Sequence, residues 1–231
     1  MPKLVAPHGS ENLRPLLLKD EKKAELMQRA ENLLTVPMQS REVCDLLLLS
    51  MGAYTPLYGF MTEEDWYSVC NDMRLSTGLF WPIPITLSVN KDLSDQIQEG
   101  QEVALADGDT EQIMAVLRVE NKYTPNHELE CKKVFGTTDL KHPGVSKVMA
   151  QPEVNLGGSV KVIDEGSFPR EFKDLYVRPE ESRAIFKRRG WSKITAFQTR
   201  NPMHRSHEHL VKIAIDVTDG VLIHQVLGKL K

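Results

Sequence analysis

Apolar residues in this chain change their spacing several times, and each change predicts a different element. From Asp20 to Leu34, Ala24, Leu26, Met27, Ala30, Leu33 and Leu34 recur among charges at helical spacing. A second helix is predicted from Glu42 to Met51, with Ser40 as its cap. A third opens at Thr62, where Asp65 three residues on resembles a capping box, and runs toward Cys70. Between these two, Gly52 to Met61 mixes glycine, proline and aromatics and predicts a packed, irregular loop. β-prone runs follow. Ile83 to Val89 is entered through Pro82 and Pro84, which suit an edge. Glu102–Ala106 and Gln112–Val119 flank Asp107-Gly108-Asp109, a hairpin signal. Ser159 to Ile163 follows Gly157-Gly158.

The segment Asp164 to Pro169 is acidic and carries glycine and proline, and a domain boundary is predicted there. Residues 1–168 form one domain on this reading and residues 169–231 begin a second. Pro179 to Arg189 reads as a helix with proline in its first turn and Gly190 beyond its end. Lys193–Phe197 reads as a strand. Pro202 to about Val217 reads as a helix that sends Leu210, Val211, Ala214 and Ile215 to a core. Thr218-Asp219-Gly220 is a turn, and Val221–Val226 is an apolar strand of the buried parallel kind. Strand, helix, strand at this spacing is a βαβ unit. An α/β domain normally has several more strands, so the second domain reads as truncated.

Composition narrows the functional classes. With 41% hydrophobic and 26% charged residues the chain has the balance of a soluble globular protein. A net charge of −3 gives no global attraction to nucleic acid or an anionic membrane, so any anion site must be a local cluster of donors. Cys44, Cys70 and Cys131 are widely spaced and odd in number, which argues for free thiols in a reducing cytoplasm. The N-terminus has no apolar signal core, and the run Leu46–Leu49 is far too short to span a bilayer.

One stretch concentrates the chemistry: Gln198-Thr199-Arg200-Asn201-Pro202-Met203-His204-Arg205-Ser206-His207. It lies where a strand passes into a helix, with Asn201 as the predicted N-cap and Pro202 as the first helical residue. Helix N-termini favour anions through unpaired N–H groups and partial positive charge. Arg200 can grip an oxyanion with two N–H groups. Gln198 and Asn201 add neutral donors and Thr199 a hydroxyl. His204 and His207, three residues apart, share one face of the helix. The run holds no carboxylate, and Glu208 follows it. That suits a reaction between two anions, where charge screening and positioning replace proton abstraction. No third ligand with zinc-like spacing accompanies the histidines, so no protein-bound metal is expected. His142 reads as a loop residue. His224 reads equally as a core histidine or as a lining group of the same pocket.

These residues resemble the signature of the ATP sulfurylase (sulfate adenylyltransferase) family. Gly52–Met61, Phe80–Ile85, Val134–Asp139 with His142-Pro143-Gly144, Arg178-Pro179 and Gly190-Trp191 resemble other parts of that family in the same order. The resemblance implies an N-terminal PUA-like, β-rich domain followed by a Rossmann-like nucleotidyltransferase α/β domain with an HxGH-like motif. It implies transfer of AMP from ATP to sulfate, giving adenosine 5′-phosphosulfate and pyrophosphate, with Mg2+ accompanying the nucleotide. Gln198 and Arg200 would then hold sulfate. Gln198, Asn201, His204 and His207 would bind ATP, the histidines at its phosphates, and Thr199, Arg200 and Asn201 would be the catalytic positions. Ser206 stands where the family usually has alanine or glycine. A Gly-Arg-Asp loop of that family has no counterpart before Lys231, so residues 1–231 alone are expected to be inactive. A cytoplasmic homo-oligomer is the expected setting. The alternatives are another HxGH-type nucleotidyltransferase, or an inactive regulatory fragment that acts as a binding module.

Overall fold

A computed structural model describes residues 4–225, and these form two compact units. The larger runs from His8 to Tyr176; the smaller contains the segment ending at Pro7 and the residues from Val177 onward. The larger unit carries, in order, α1 (Asp20–Ala30), β1 (Thr35–Met38), α2 (Ser40–Ser50), β2 (Gly59–Phe60), α3 (Glu63–Asp72), β3 (Ser88–Val89) and α4 (Lys91–Asp95). It continues with β4 (Glu102–Asp107), β5 (Ile113–Tyr123), α5 (His127–Val134), α6 (Pro143–Met149), β6 (Val154–Val162) and α7 (Phe168–Glu171). The smaller unit carries α8 (Pro179–Arg189), β7 (Ile194–Thr199), α9 (Arg205–Val217) and β8 (Gly220–Gln225).

The sheet of the larger unit follows the order β1-β4-β5-β6-β2, with β3 also on β6. The predicted hairpin is the β4–β5 pair, antiparallel from Glu102↔Arg118 onward. β1 pairs parallel with β4, a strand that the helical spacing up to Leu34 concealed. Two layers cover this sheet. On one side Leu26 and Ala30 of α1 pack with Ala104, Val116 and Ile163. On the other, Val43, Leu46 and Leu49 of α2 and Trp66 and Val69 of α3 pack with Leu105, Leu117, Val119, Leu156 and Val160. Coverage on both faces explains why β5 buries four consecutive residues, Met114 to Leu117, instead of alternating.

Several local expectations are corrected. α1 stops at Ala30, because the chain must turn to bring Thr35 beside Ala104. The cap of α2 is Gln39, not Ser40: the Gln39 N–H donates to Glu42 at 2.8 Å. Glu42 also accepts from the Ser88 N–H and hydroxyl, each at 2.8 Å, and is fully buried. Thr62 does cap α3, but without a side-chain bond. Asp65 accepts instead from the N–H and hydroxyl of Ser76, so there is no capping box. Only Ser88–Val89 of the run Ile83–Val89 forms a strand, since the preceding prolines remove ladder donors. β6 begins at Val154, and Gly157-Gly158 lies within it, not before it. There the chains cross so closely that a Cβ on Gly158 would meet the Arg118 carbonyl oxygen at 2.0 Å, and its φ of +152° is glycine territory.

The expected boundary lies between residues 168 and 169, and the compact units divide after Tyr176. Glu165 fastens the intervening segment to the larger unit, accepting from Ser50 at 2.8 Å and from Tyr176 at 3.2 Å. Cys70 and Cys131 are buried free thiols and Cys44 is partly exposed. Among the described residues no helix is long and apolar enough to cross a membrane.

Candidate anion and nucleotide site

The smaller unit is a βαβ arrangement. β7 and β8 run parallel, in register from Ile194↔Gly220 to Thr199↔Gln225, with α9 between them in sequence. Its entry is tied by Asp219, whose carboxylate accepts from Ser192 N–H (2.7 Å), Ser192 hydroxyl (3.0 Å) and Lys193 N–H (2.9 Å). Those bonds, with the Lys193 N–H first, hold Asp219 below its usual carboxylate range. Trp191 lies on the start of β8: a Cβ at Gly220 would meet its ring at 2.3 Å. Phe186 stacks on Trp191 at 6.1 Å, and the Arg189 guanidinium lies 5.0 Å from its ring centre. α8 ends at Gly190, as its sequence predicts. Val226, the predicted last strand residue, lies outside the described residues.

The junction after β7 differs from the expected one. Arg200 and Asn201 form a bend, Pro202 follows in irregular chain, and α9 starts at Arg205 with His204 as its N-cap. The reason lies in competing bonds. The Thr199 hydroxyl donates to the Asn201 carbonyl at 2.9 Å and accepts from the Asn201 N–H at 3.2 Å, which closes a tight turn before any helix can begin. The imidazoles then do the capping. His204 Nδ1 accepts from the Ser206 N–H at 3.3 Å, and His207 Nδ1 accepts from the His204 N–H at 3.4 Å. This is a capping box built from two histidines. Each Nδ1 is an acceptor, so the hydrogen-bond network assigns the ring proton of each neutral histidine to Nε2. The rings lie 4.0 Å apart, and Phe197 meets His207 edge-on at 5.6 Å.

Side chains alternate along β7. Phe197 and Thr199 therefore share the face on which His207 packs. Gln198 shares the opposite face with His224, its register partner on β8. His224 is exposed in the described structure. Thr199 is 8% exposed, while Gln198, Arg200, Asn201 and His204 are exposed. Arg200 has no hydrogen bond or ion pair among the described residues, and the Arg205 N–H likewise takes no partner there, whereas the His207 N–H is taken up by the His204 side chain in the capping box. Three kinds of donor thus collect at the β7–α9 junction: a guanidinium, two Nε2–H groups and the Arg205 backbone N–H. Glu208 does not oppose them. It pairs with Lys212 at 2.7 Å, one turn along the helix, and that bond holds it below its usual range.

Among the described residues no three His, Cys, Asp or Glu side chains converge as a metal-holding group. His142, expected in a loop, caps the short helix α6, its Nδ1 accepting from Gly144 and Val145 N–H groups at 3.2 and 3.4 Å. The sequence reading missed the histidine capping box, although its spacing is that of a capping box with histidines in place of the usual residues. The apolar residues of α9 do not reach a core in the described structure: Leu210 and Ile215 are 53% and 54% exposed. β8 is likewise more open than a buried strand, with Ile223 and His224 exposed.

Residues 5–165 match the family described as PUA-like domain, and residues 173–231 match ATP-sulfurylase. The chain belongs to the family described as PUA-like domain, whose model matches more than half of it, and its remaining part is similar to ATP-sulfurylase. Curated relatives include the sulfate adenylyltransferases of Chlorobium chlorochromatii, 53% identical over 99% of this chain, and of Syntrophobacter fumaroxidans, 53% identical over 100%. That of Thiobacillus denitrificans is 50% identical over 100%. The chain spans 57% of the length of each of these relatives. A solved structure described as a hexameric APS kinase from Thiobacillus denitrificans is also similar, with a TM-score of 0.78, 30% identity, and coverage of 99% of this chain and 41% of that one. The β7–α9 junction falls within the ATP-sulfurylase match.

Proposed function

We propose that this chain supplies the sulfate- and phosphate-binding part of a sulfate adenylyltransferase, which transfers AMP from ATP to sulfate and releases pyrophosphate. The observation that carries the reading is the β7–α9 junction, where Arg200 and the Nε2–H groups of a histidine capping box are left available while Glu208, the next residue after His207, is paired with Lys212. Sulfate enters as an anion and needs no general base. A site for it wants donors and positive charge rather than a carboxylate. Gln198 and Arg200 hold the sulfate. Asn201, on the turn closed by Thr199, and the His204 and His207 Nε2–H groups engage the ATP phosphates, together with the Arg205 N–H group. As charge builds on the departing pyrophosphate these donors become stronger, which is how they favour the transition state over the bound substrates. Thr199 works through the turn that sets Arg200 and Asn201.

Mg2+ fits this donor set as part of the substrate. Among the described residues the junction offers cationic and N–H groups and no carboxylate cluster; the proposed place of the ion is on the nucleotide phosphates, which it partly neutralises. A cytoplasmic homo-oligomer is the proposed setting, supported by the hexameric description of the structural neighbour.

The test is sulfate-dependent exchange of labelled pyrophosphate into ATP by the protein in its longest encoded form. Arg200→Ala should lower the exchange roughly a hundredfold, as loss of a charge-assisted, two-pronged contact worth about 3 kcal/mol requires. Exchange that proceeds without sulfate, or survives Arg200→Ala, would refute the assignment.

A further inference from the structure

β7 and β8 change character on the same rungs. Ala196↔Leu222 and Phe197↔Ile223 are apolar pairs, and the next two, Gln198↔His224 and Thr199↔Gln225, are polar. These last rungs lie at the carboxyl ends of two neighbouring parallel strands, where α/β sheets bind their ligands. Side chains at one register position share a face, so Gln198 and His224 stand side by side on the face opposite Phe197 and Thr199. Both are exposed in the described structure. The rest of that face on the two strands, Ile194, Ala196, Gly220 and Leu222, brings no carboxylate and no other polar side chain. Among the described residues no hydrogen bond or ion pair ties up the His224 ring.

Sulfate has four oxygens. The paired N–H groups of Arg200 can take two and the Gln198 amide one, which leaves an oxygen for a further donor. Neighbouring strands lie about 4.8 Å apart, so two long side chains on one rung can converge on a single small anion. An imidazole offers an N–H whether neutral or protonated. We propose that His224 contacts the sulfate and completes, with Gln198 and Arg200, the binding of the acceptor. The inference rests on the function proposed above for the β7–α9 junction. It divides that junction between the two substrates: the Gln198–His224 face takes sulfate, while His204 and His207 at the start of α9 take the nucleotide phosphates.

Exchange of labelled pyrophosphate into ATP by the protein in its longest encoded form, with sulfate and ATP varied in turn, separates these roles. His224→Ala should raise the KM for sulfate about tenfold, the worth of one hydrogen bond to a charged group. The KM for ATP should stay within about twofold, since no contact to the nucleotide is lost. His224→Gln, whose amide N–H stands in for Nε2–H, should keep the sulfate KM within about threefold of the parent. A second readout needs neither turnover nor a variant. Modification of His224 by diethyl pyrocarbonate, followed by peptide mass, should slow at saturating sulfate and not in chloride of equal ionic strength. An unchanged sulfate KM in His224→Ala overturns the proposal. So does an ATP KM that rises equally, because His224 would then only support β8. A His224 that resists the reagent with and without sulfate is a core residue, and that result overturns the proposal too. Failure of the adenylyl-transfer reading shows separately, as exchange in the parent enzyme that ignores sulfate, and it takes the sulfate role of His224 with it.

Discussion

Replacing Gly158 with alanine tests how β6 threads between its neighbours. Gly158 pairs with Phe60 on one side and Val119 on the other, beside an irregularity in the β5–β6 register between Val119 and Asn121. A Cβ there would lie 2.0 Å from the Arg118 carbonyl oxygen and 2.9 Å from the Glu120 nitrogen, both backbone atoms of a central strand that cannot swing aside. Its φ of +152° is costly for any residue with a side chain, at about 1–3 kcal/mol. Overpacking adds about 1–3 kcal/mol. The stiffer unfolded chain returns about 0.4–1 kcal/mol. The net loss is therefore about 1–5.6 kcal/mol, the span those ranges allow. Gly100→Ala is the control. Gly100 also has positive φ, +83°, but nothing lies within 4 Å of the Cβ position. It should cost about 1 kcal/mol or less, since only the backbone contribution and the unfolded-chain gain remain. Urea unfolding followed by the fluorescence of Trp66 and Trp81, both in the larger unit, measures the two variants side by side. Equal losses would refute the steric argument and leave only the backbone contribution.

Two further outcomes follow from the ionisable groups. Burial, aided by the charge of Glu130, pushes the Cys70 thiol up to about 12, and Cys131 is raised by the same two causes. In the folded chain at neutral pH a thiol reagent should therefore label Cys44 ahead of both, and all three should react in denaturant; fast labelling of Cys70 in the folded protein would contradict the burial. Asp219 is held low by its bonds to Ser192 and Lys193, so its contribution is present above the ordinary carboxylate range and is lost as pH falls through the lowered value. Asp219→Asn should remove that acid-side loss and speed hydrogen exchange of the Ser192 and Lys193 amides, and unchanged exchange would show that the carboxylate does not secure the β7 entry.

Much of the fold can be read from local pattern. The β4–β5 hairpin, α8 with its terminal Gly190, and the βαβ order of the last fifty residues or so follow from spacing and punctuation that need no partner to be recognised. β1 could not be read in this way. Thr35–Met38 is a strand because β4 offers it a parallel ladder, and that partner lies far along the chain. The cap of α2 was misassigned for a related reason. Glu42 is drawn into the interior by Ser88, and the Gln39 N–H completes its ring of donors.

At the functional junction the division is similar. Which chemical groups meet, Gln198 through His207, is a matter of chain order, and the sequence alone determines it. The helix start is not settled by local propensity. Asn-Pro is a good helix opening, yet the Thr199 hydroxyl captures Asn201 and the two imidazoles cap α9 three residues later. The pairing of Gln198 with His224 is decided by tertiary structure alone. Strand register depends on atoms that meet only after the backbone has folded.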